Sequence, residues 1–191
     1  MNLPNKITVC RIALIPIFVA LYYLTIIPYN FLWATIVFAI AAFTDFLDGY
    51  IARKYKLVTD LGKFLDPIAD KVLVLTALIL MLTGVGGGIL DSLTGGIGVA
   101  IILARELIVS SFRMVAATKK LVIAADKLGK IKTVSQDISI VLLMFAKAFS
   151  GTLFTVIYWI GYGLFVFSVV MTVISGINYV YRNRAVLKEE N

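Results

Sequence analysis

Residues 45 to 70 of this chain read Asp45-Phe-Leu-Asp48-Gly49-Tyr-Ile-Ala52-Arg53, then eight further residues, then Gly62-Lys-Phe-Leu-Asp66-Pro-Ile-Ala-Asp70. In each half, two aspartates stand three or four positions apart, so each pair projects from one face of a helix. Two such helices facing each other would present four carboxylates to one point. Carboxylate oxygens are the ligands that Mg²⁺ and Mn²⁺ prefer, and four of them together repel one another without a cation. The stretch therefore predicts a site for divalent metal ions.

The fixed residues of this stretch, D-x2-D-G-x2-A-R-x8-G-x3-D-x3-D, resemble the signature of the CDP-alcohol phosphatidyltransferases, which are integral membrane enzymes of phospholipid synthesis. Eight specified residues over 26 positions are far more specific than a lone glycine motif. A purely structural interpretation makes Asp45 and Asp48 a solvated helix end. It makes Asp66 an N-cap, with Pro67 at the first helical position. That cap is compatible with a metal site.

Composition places the chain in a membrane. Its 191 residues suit one domain, but 61% of them are hydrophobic, a fraction too high for a soluble domain. The formal net charge is +7. Because the basic residues form short clusters between apolar segments, we expect anionic lipid headgroups, and not nucleic acid, as their partners. Histidine is absent, so the aspartates are the foremost candidates for metal ligands and for a general base.

Hydropathy predicts an all-α fold of six transmembrane helices, since a bilayer core takes about 20 apolar residues per helix. With both termini inside, almost all lysines and arginines of the connecting segments face the cytoplasm, and the outer turns contain only Lys147. This asymmetry puts the aspartates at the cytoplasmic ends of the second and third helices. The last span is longer than a bilayer requires, so we expect it to tilt or project. The predicted spans lie near 7–27, 31–52, 66–83, 95–118, 134–149 and 152–181.

The resemblance implies a fold and an activity. Members of the family are six-helix bundles with a polar cavity open to the cytosol, usually paired as homodimers, here in a bacterial cytoplasmic membrane. They transfer a phosphatidyl group from CDP-diacylglycerol to an alcohol and release CMP. In this chain the resemblance makes Asp45, Asp48 and Asp66 ligands of two divalent ions, Mg²⁺ or Mn²⁺. It makes Asp70 both a ligand and the base that deprotonates the acceptor hydroxyl.

The first segment adds polar groups to the mouth of helix one. Asn5, Thr8 and Arg11 lie on one helical stripe. One interpretation makes Asn5 a helix cap and Arg11 a charge that reaches the headgroups. The other follows the family, whose N-x2-T-x2-R run lines the cytidine nucleotide pocket. The nucleotide-binding residues that the resemblance implies are Thr8, Arg11, Asp48, Gly49, Arg53, Thr59 and Gly62.

The acceptor is expected to be glycerol 3-phosphate. The opening run from Asn2 to Thr8, with Arg11 and Pro16, resembles family members that use this alcohol. Serine, inositol phosphate and phosphatidylglycerol stay open, although clustered basic residues favour a phosphorylated acceptor over serine. An anionic acceptor needs cations beside a carboxylate-rich site. The phosphate pocket predicted on this ground consists of Arg113, Lys132 and Arg182.

Arg105 and Glu106 lie inside the apolar run of the fourth helix, where charges are costly and should face the protein interior. Adjacent helical residues point about 100° apart, so a direct pair between them is not assumed. A structural ion-pair network that includes Asp137 and a direct functional role are both open. A cation transporter is the alternative of another class, because intramembrane aspartates also bind moving ions. It leaves the fixed offsets of Gly49, Arg53 and Gly62 unexplained, and a non-catalytic scaffold explains still less.

Overall fold

The computed structural model describes residues 3–54, 60–83, 88–119 and 127–184, and it describes their side chains except at 3–5, 45, 46, 48–54, 60–64 and 67. This part of the chain is helical, as predicted. Its helices are α1 (Leu3–Tyr23), α2 (Asn30–Lys54), α3 (Asp60–Leu82), α4 (Thr94–Thr118), α5 (Lys127–Ala146) and α6 (Gly151–Arg182).

Three helices begin several residues before the predicted spans. Helix α1 begins at Leu3, α3 at Asp60 and α5 at Lys127. Hydropathy marks only the apolar part of a helix, whereas backbone hydrogen bonding continues into polar residues. Two cap assignments are therefore wrong. Asp66 is not an N-cap, because α3 starts before it and passes through Pro67, and Asn5 already lies inside α1.

The C-terminal ends of α1 and α3 and the start of α2 are joined around one tyrosine. Tyr22 is buried, and its hydroxyl donates to the carbonyl of Leu80 over 2.9 Å. The side-chain amide of Asn30 donates to the carbonyl of Tyr22 over 3.0 Å. Between α1 and α2 the chain turns at Tyr29, whose φ of 56° is left-handed. The predicted break at residues 28–30 is too short and too late, because the connection covers residues 24–29 and Asn30 is already the first residue of α2.

The start of α4 is stabilised by an aspartate of the preceding loop. The backbone N–H of Thr94 donates to Asp91 over 2.6 Å, and the Thr94 hydroxyl also bonds this carboxylate. These bonds favour the ionised form, so they hold the pKa of Asp91 below its usual value. Because the first N–H groups of a helix have no partner within it, a carboxylate at this place satisfies donors that would otherwise be left unpaired.

Apolar side chains fill the centre of the bundle and also cover its outside. The buried core joins all six helices, for example through Phe18, Phe38, Leu73, Ile102, Leu143 and Phe165. Large hydrophobic residues are exposed on the surface, among them Ile17, Ile40, Ile108, Trp159 and Ile177, while Arg11, Lys132 and Gln136 are buried. A soluble protein does not expose so much apolar surface, whereas in a bilayer it faces lipid and the polar groups turn inward.

Two of the described helices are long and apolar enough to cross a membrane by length and composition, Lys6–Tyr23 and Gly151–Arg182, and Asn30–Thr44 is a shorter apolar segment. The prediction of six spans is thus not confirmed and stays a prediction. The last helix is long, as expected. Its 32 residues correspond to about 48 Å, more than the ~30 Å hydrocarbon core.

Candidate active site

The aspartate motif lies in the C-terminal part of α2 and the N-terminal part of α3. The backbone of α2 includes Asp45, Asp48, Gly49 and Arg53, and that of α3 includes Gly62. The side chains at these positions lie outside what the structure describes. Thr59 falls between the two helices, outside the described residues. The predicted roles of these residues therefore stay predictions.

The described half of the motif is the pair of Asp66 and Asp70. Both side chains are partly buried, and their spacing of four residues places them on one face of α3. The hydroxyl of Thr8 donates to Oδ1 of Asp66 over 2.7 Å. This bond joins α1 to α3 across 58 residues of sequence. The motif and the polar run at the start of the chain thus belong to one site.

Thr8 and Arg11 are both fully buried, as expected for residues on one stripe of α1 that faces the protein interior. Thr8 points to the aspartate motif, so a nucleotide bound there would lie beside the predicted metal ligands. The interpretation of Arg11 as a charge that reaches the headgroups does not fit, because none of its surface is exposed. Its contact with a nucleotide stays a prediction.

The described donors fit a divalent cation of the Mg²⁺ or Mn²⁺ type. Asp66 and Asp70 provide hard carboxylate oxygens. The hydroxyl of Thr8 donates a hydrogen bond to one oxygen of Asp66. Such a bond to a carboxylate orients it for a metal ion. Within the side chains that the structure describes there is no group of three metal-binding residues. The other two predicted ligands, Asp45 and Asp48, lie outside that search.

A second charged cluster lies between α3, α4 and α5. The carboxylate of Glu106 accepts a hydrogen bond from Nζ of Lys132 over 2.8 Å and one from Nη1 of Arg105 over 3.0 Å. Nζ of Lys71 lies 3.9 Å from the other oxygen of Glu106 and donates to the hydroxyl of Ser110. We call Lys71, Arg105, Glu106 and Lys132 the Glu106 cluster. Arg105 and Glu106 therefore belong to an ion-pair network, while the part of Asp137 in such a network stays a prediction.

Arg105 and Glu106 do pair directly, a point that helix geometry had left open. Both side chains are long enough to bend toward each other despite the angle between their Cβ atoms. The further partners of Glu106 are cations of α3 and α5, which the sequence interpretation did not identify. Lys71 was missed altogether. The signal was present, since Lys71 is a charge at the start of the apolar run of α3, and the same argument singled out Arg105.

The three residues of the predicted phosphate pocket have different environments. Lys132 is almost fully buried, and its amine bonds Glu106. Arg113 is exposed, with Nε 3.4 Å from the hydroxyl of Tyr179 and the guanidinium 5.7 Å from the centre of that ring. Arg182 is exposed in the last turn of α6. Arg113 has a charge that a ligand can reach, whereas the charge of Lys132 is already paired.

Comparison with known proteins identifies relatives along the whole chain. The chain is 41% identical to the CDP-diacylglycerol--glycerol-3-phosphate 3-phosphatidyltransferase of Bacillus subtilis (strain 168), over 100% of this chain and 99% of the relative. It is 37% identical to the protein of the same name from Rickettsia bellii (strain RML369-C), over 93% of each. The protein of that name from Shigella flexneri serotype 5b (strain 8401) is 33% identical over 99% of this chain and 98% of its own length.

The family comparison gives the same result over most of the chain. The model of the CDP-alcohol phosphatidyltransferases matches residues 1–174, a range that includes the aspartate motif, Thr8 and the Glu106 cluster. With a complete motif, a bond from Thr8 of α1 to Asp66 of that motif, and relatives of matching length, the chain belongs to the CDP-alcohol phosphatidyltransferase family.

Proposed function

We propose that this protein transfers the phosphatidyl group of CDP-diacylglycerol to glycerol 3-phosphate and releases phosphatidylglycerophosphate and CMP. The observation that carries this proposal is the extent of the likeness. Relatives named for this reaction match 93% to 100% of the chain and nearly their own full length. The acceptor that the opening run and the basic cluster predicted is the one in those names.

The four aspartates are the proposed metal site. Asp45, Asp48, Asp66 and Asp70 would hold two divalent ions, Mg²⁺ or Mn²⁺, since their oxygens are the ligands that these ions prefer. When bound, the ions supply positive charge that neutralises the pyrophosphate and the attacking oxygen. The support from the structure is the bond of Thr8 to Asp66, which orients one of the ligands.

The nucleotide end of the lipid substrate would lie along α1 and α2. Gly49 leaves room for a nucleotide close to the helix, and Arg53 offers two parallel donors to a phosphate. Thr8 and Arg11 line the same region from α1, because Thr8 already contacts Asp66. The proposed nucleotide contacts are Thr8, Arg11, Asp48, Gly49, Arg53, Thr59 and Gly62.

The transfer step moves one proton and one pair of electrons. A carboxylate oxygen of Asp70 takes the proton of the acceptor hydroxyl. The acceptor oxygen then forms a bond to the phosphorus that carries the diacylglycerol. The bridging P–O bond to the cytidine side breaks, and CMP leaves with that electron pair. Holding both reactants at this geometry supplies much of the rate enhancement.

The acceptor phosphate is proposed to bind near Arg113, Lys132 and Arg182. Arg113 is the member with the strongest support, because it is exposed and lies on α4, the helix that also carries Arg105 and Glu106. The amine of Lys132 already bonds Glu106, so Lys132 would attract the acceptor phosphate only through its positive charge. Glycerol 3-phosphate carries two negative charges near neutral pH, whereas serine carries no net charge, so this cluster favours the phosphorylated acceptor.

The proposed setting is a bacterial cytoplasmic membrane. All six helices would cross it, both termini would lie in the cytoplasm, and the polar cavity would open toward cytosolic substrates. The protein is expected to pair as a homodimer. The apolar outer faces of the helices support a bilayer as the surroundings.

The test is release of CMP by the purified protein. CDP-diacylglycerol and Mg²⁺ or Mn²⁺ are supplied with glycerol 3-phosphate, serine, inositol phosphate or phosphatidylglycerol in separate reactions. We expect metal-dependent release of CMP with glycerol 3-phosphate and little with the others. Release with a different alcohol would reassign the acceptor. Movement of divalent ions into protein-containing liposomes without any release of CMP would instead favour a transporter.

A further inference from the structure

The Glu106 cluster contains more positive charge than ion pairing needs. One carboxylate is surrounded by three cations, which come from α3, α4 and α5. The side chains of Arg105, Glu106 and Lys132 are at most 16% exposed. Charges in the interior of a membrane protein are costly unless they pair or serve function, so one cation would be enough for structure.

The distances separate the cations into two kinds. Lys132 at 2.8 Å and Arg105 at 3.0 Å hydrogen-bond Glu106, so their charges stabilise the carboxylate. The amine of Lys71 lies 3.9 Å from Glu106, beyond hydrogen-bond length, and it donates a hydrogen bond to the hydroxyl of Ser110. An ammonium has three donors. The amine of Lys71 therefore has capacity for a further acceptor.

Lys71 is also the accessible member of the cluster. Its side chain is 31% exposed, against 3% for Lys132. It directly follows Asp70, the proposed base, in α3. Arg113 is an exposed cation about one turn beyond Ser110 on α4, and Ser110 accepts a hydrogen bond from Lys71. An anion that entered between α3 and α4 would meet both cations beside the residue that takes the acceptor's proton.

We propose that Lys71 binds the phosphate of the acceptor, with Ser110 and Glu106 holding its amine in place. This inference rests on the proposed function, in which the acceptor is a phosphomonoester. Lys71 contacts the substrate, whereas Ser110 and Glu106 are positioning residues. The three cations and one carboxylate of the cluster leave a surplus of two positive charges. The dianion of glycerol 3-phosphate matches this surplus, and the match would make the site selective for a phosphorylated alcohol.

The test compares binding of two substrates to full-length variants in detergent with Mg²⁺ present. Equilibrium binding of labelled glycerol 3-phosphate is measured for Lys71→Gln, Lys71→Arg, Ser110→Ala and the control Lys127→Gln, which removes an exposed charge at the start of α5. We expect Lys71→Gln to raise the Kd for glycerol 3-phosphate about ten- to hundredfold, the loss typical of a charge-assisted hydrogen bond. The Kd for CDP-diacylglycerol should change less than threefold.

Lys71→Arg should recover most of the binding, because it restores the charge, and Ser110→Ala should weaken binding a few-fold while the charge stays. Lys127→Gln should bind as the wild type does. Unchanged binding of glycerol 3-phosphate by Lys71→Gln overturns the inference. An equal loss for both substrates assigns Lys71 a structural role and overturns it too. If Lys71→Gln does not fold, Ser110→Ala is the deciding variant. Unchanged binding of glycerol 3-phosphate by Ser110→Ala would then overturn the proposal that Ser110 holds the amine of Lys71 in place.

These outcomes are separate from those of the proposed function. Absence of CMP release by the wild type with glycerol 3-phosphate would refute the proposed reaction. The binding measurement does not depend on turnover, so it tests Lys71 in either case. Inorganic phosphate is the second probe, and its Kd should rise in parallel with that of glycerol 3-phosphate if the phosphate group is what Lys71 binds.

Discussion

At the scale of single residues, replacing an aspartate by asparagine distinguishes the proposed base from the proposed metal ligands. Asp66 and Asp70 share one face of α3 but have different neighbours, since Thr8 bonds Asp66. An amide keeps the shape of the carboxylate. It cannot accept a proton at the pH of the reaction, and it is a weaker ligand for a hard cation.

Asp70→Asn should reduce transfer by at least about a hundredfold, because general-base catalysis contributes roughly that much or more. Binding of CDP-diacylglycerol should stay close to the wild-type value. Activity is measured against metal concentration for Asp70→Asn and Asp66→Asn. Excess Mg²⁺ should partly restore Asp66→Asn and leave Asp70→Asn inactive. Full recovery of Asp70→Asn at high Mg²⁺ would show that it is only a ligand.

Thr8 gives a second prediction at this scale. Thr8→Val removes the 2.7 Å bond to Asp66 with little change in volume, and Thr8→Ser keeps it. Loss of a hydrogen bond that orients a metal ligand typically lowers metal affinity about ten- to hundredfold. Calorimetric titration with Mn²⁺ should show that loss for Thr8→Val and near-normal affinity for Thr8→Ser. Equal affinity in both variants, with weaker nucleotide binding in Thr8→Val, would make Thr8 a nucleotide contact alone.

At the scale of helices, close approach between α5 and α6 depends on the absence of a side chain. A Cβ at Gly161 would lie 3.0 Å from Cγ of Leu143 and 3.2 Å from its backbone nitrogen. At Gly163, on the same helix, a Cβ would meet nothing within 4 Å. Small residues let helix backbones approach each other in a membrane, where the hydrophobic effect does not drive association.

Gly161→Val should therefore destabilise the protein by about 1 to 3 kcal/mol, the usual effect of overpacking. Gly163→Val is the matched control, since valine has the same helix propensity at both positions. Thermal unfolding in detergent is the measurement. Comparable melting temperatures of the two variants would mean that α5 and α6 tolerate a wider separation than the structure indicates.

At the scale of the whole molecule, orientation in the membrane is the main prediction that the fold leaves to experiment. Cys10 is the one cysteine of the sequence, so single-cysteine variants are made in Cys10→Ser. Ile26 lies between α1 and α2 and is 89% exposed, and Arg184 is exposed after α6. A thiol reagent that cannot cross membranes should label Ile26→Cys in intact cells and should label Arg184→Cys only after lysis. The reverse pattern would place both termini outside.

Much of the fold was predictable at the level of helices. The helices α2, α4 and α6 lie close to their predicted spans, whereas the break before α2 covers residues 24–29 and not 28–30. The starts of α1, α3 and α5 were not, because a hydropathy profile loses a helix where it becomes polar. Pro67 made Asp66 look like the beginning of a helix. A proline seven residues after the first residue of α3 is compatible with the helix, however, which the local pattern could not show.

Composition was sufficient to predict a helical membrane protein, and the resemblance of residues 45–70 to a known signature predicted the family, because hydropathy and motif spacing are local properties of the chain. The partners of its charged groups were not predictable. Thr8 bonds Asp66 across 58 residues, and Lys132 bonds Glu106 across 26. Such pairs depend on how the helices pack and rotate against one another. Only the folded bundle therefore showed that the charge of Lys132 is already paired, while Lys71 is partly exposed beside Asp70.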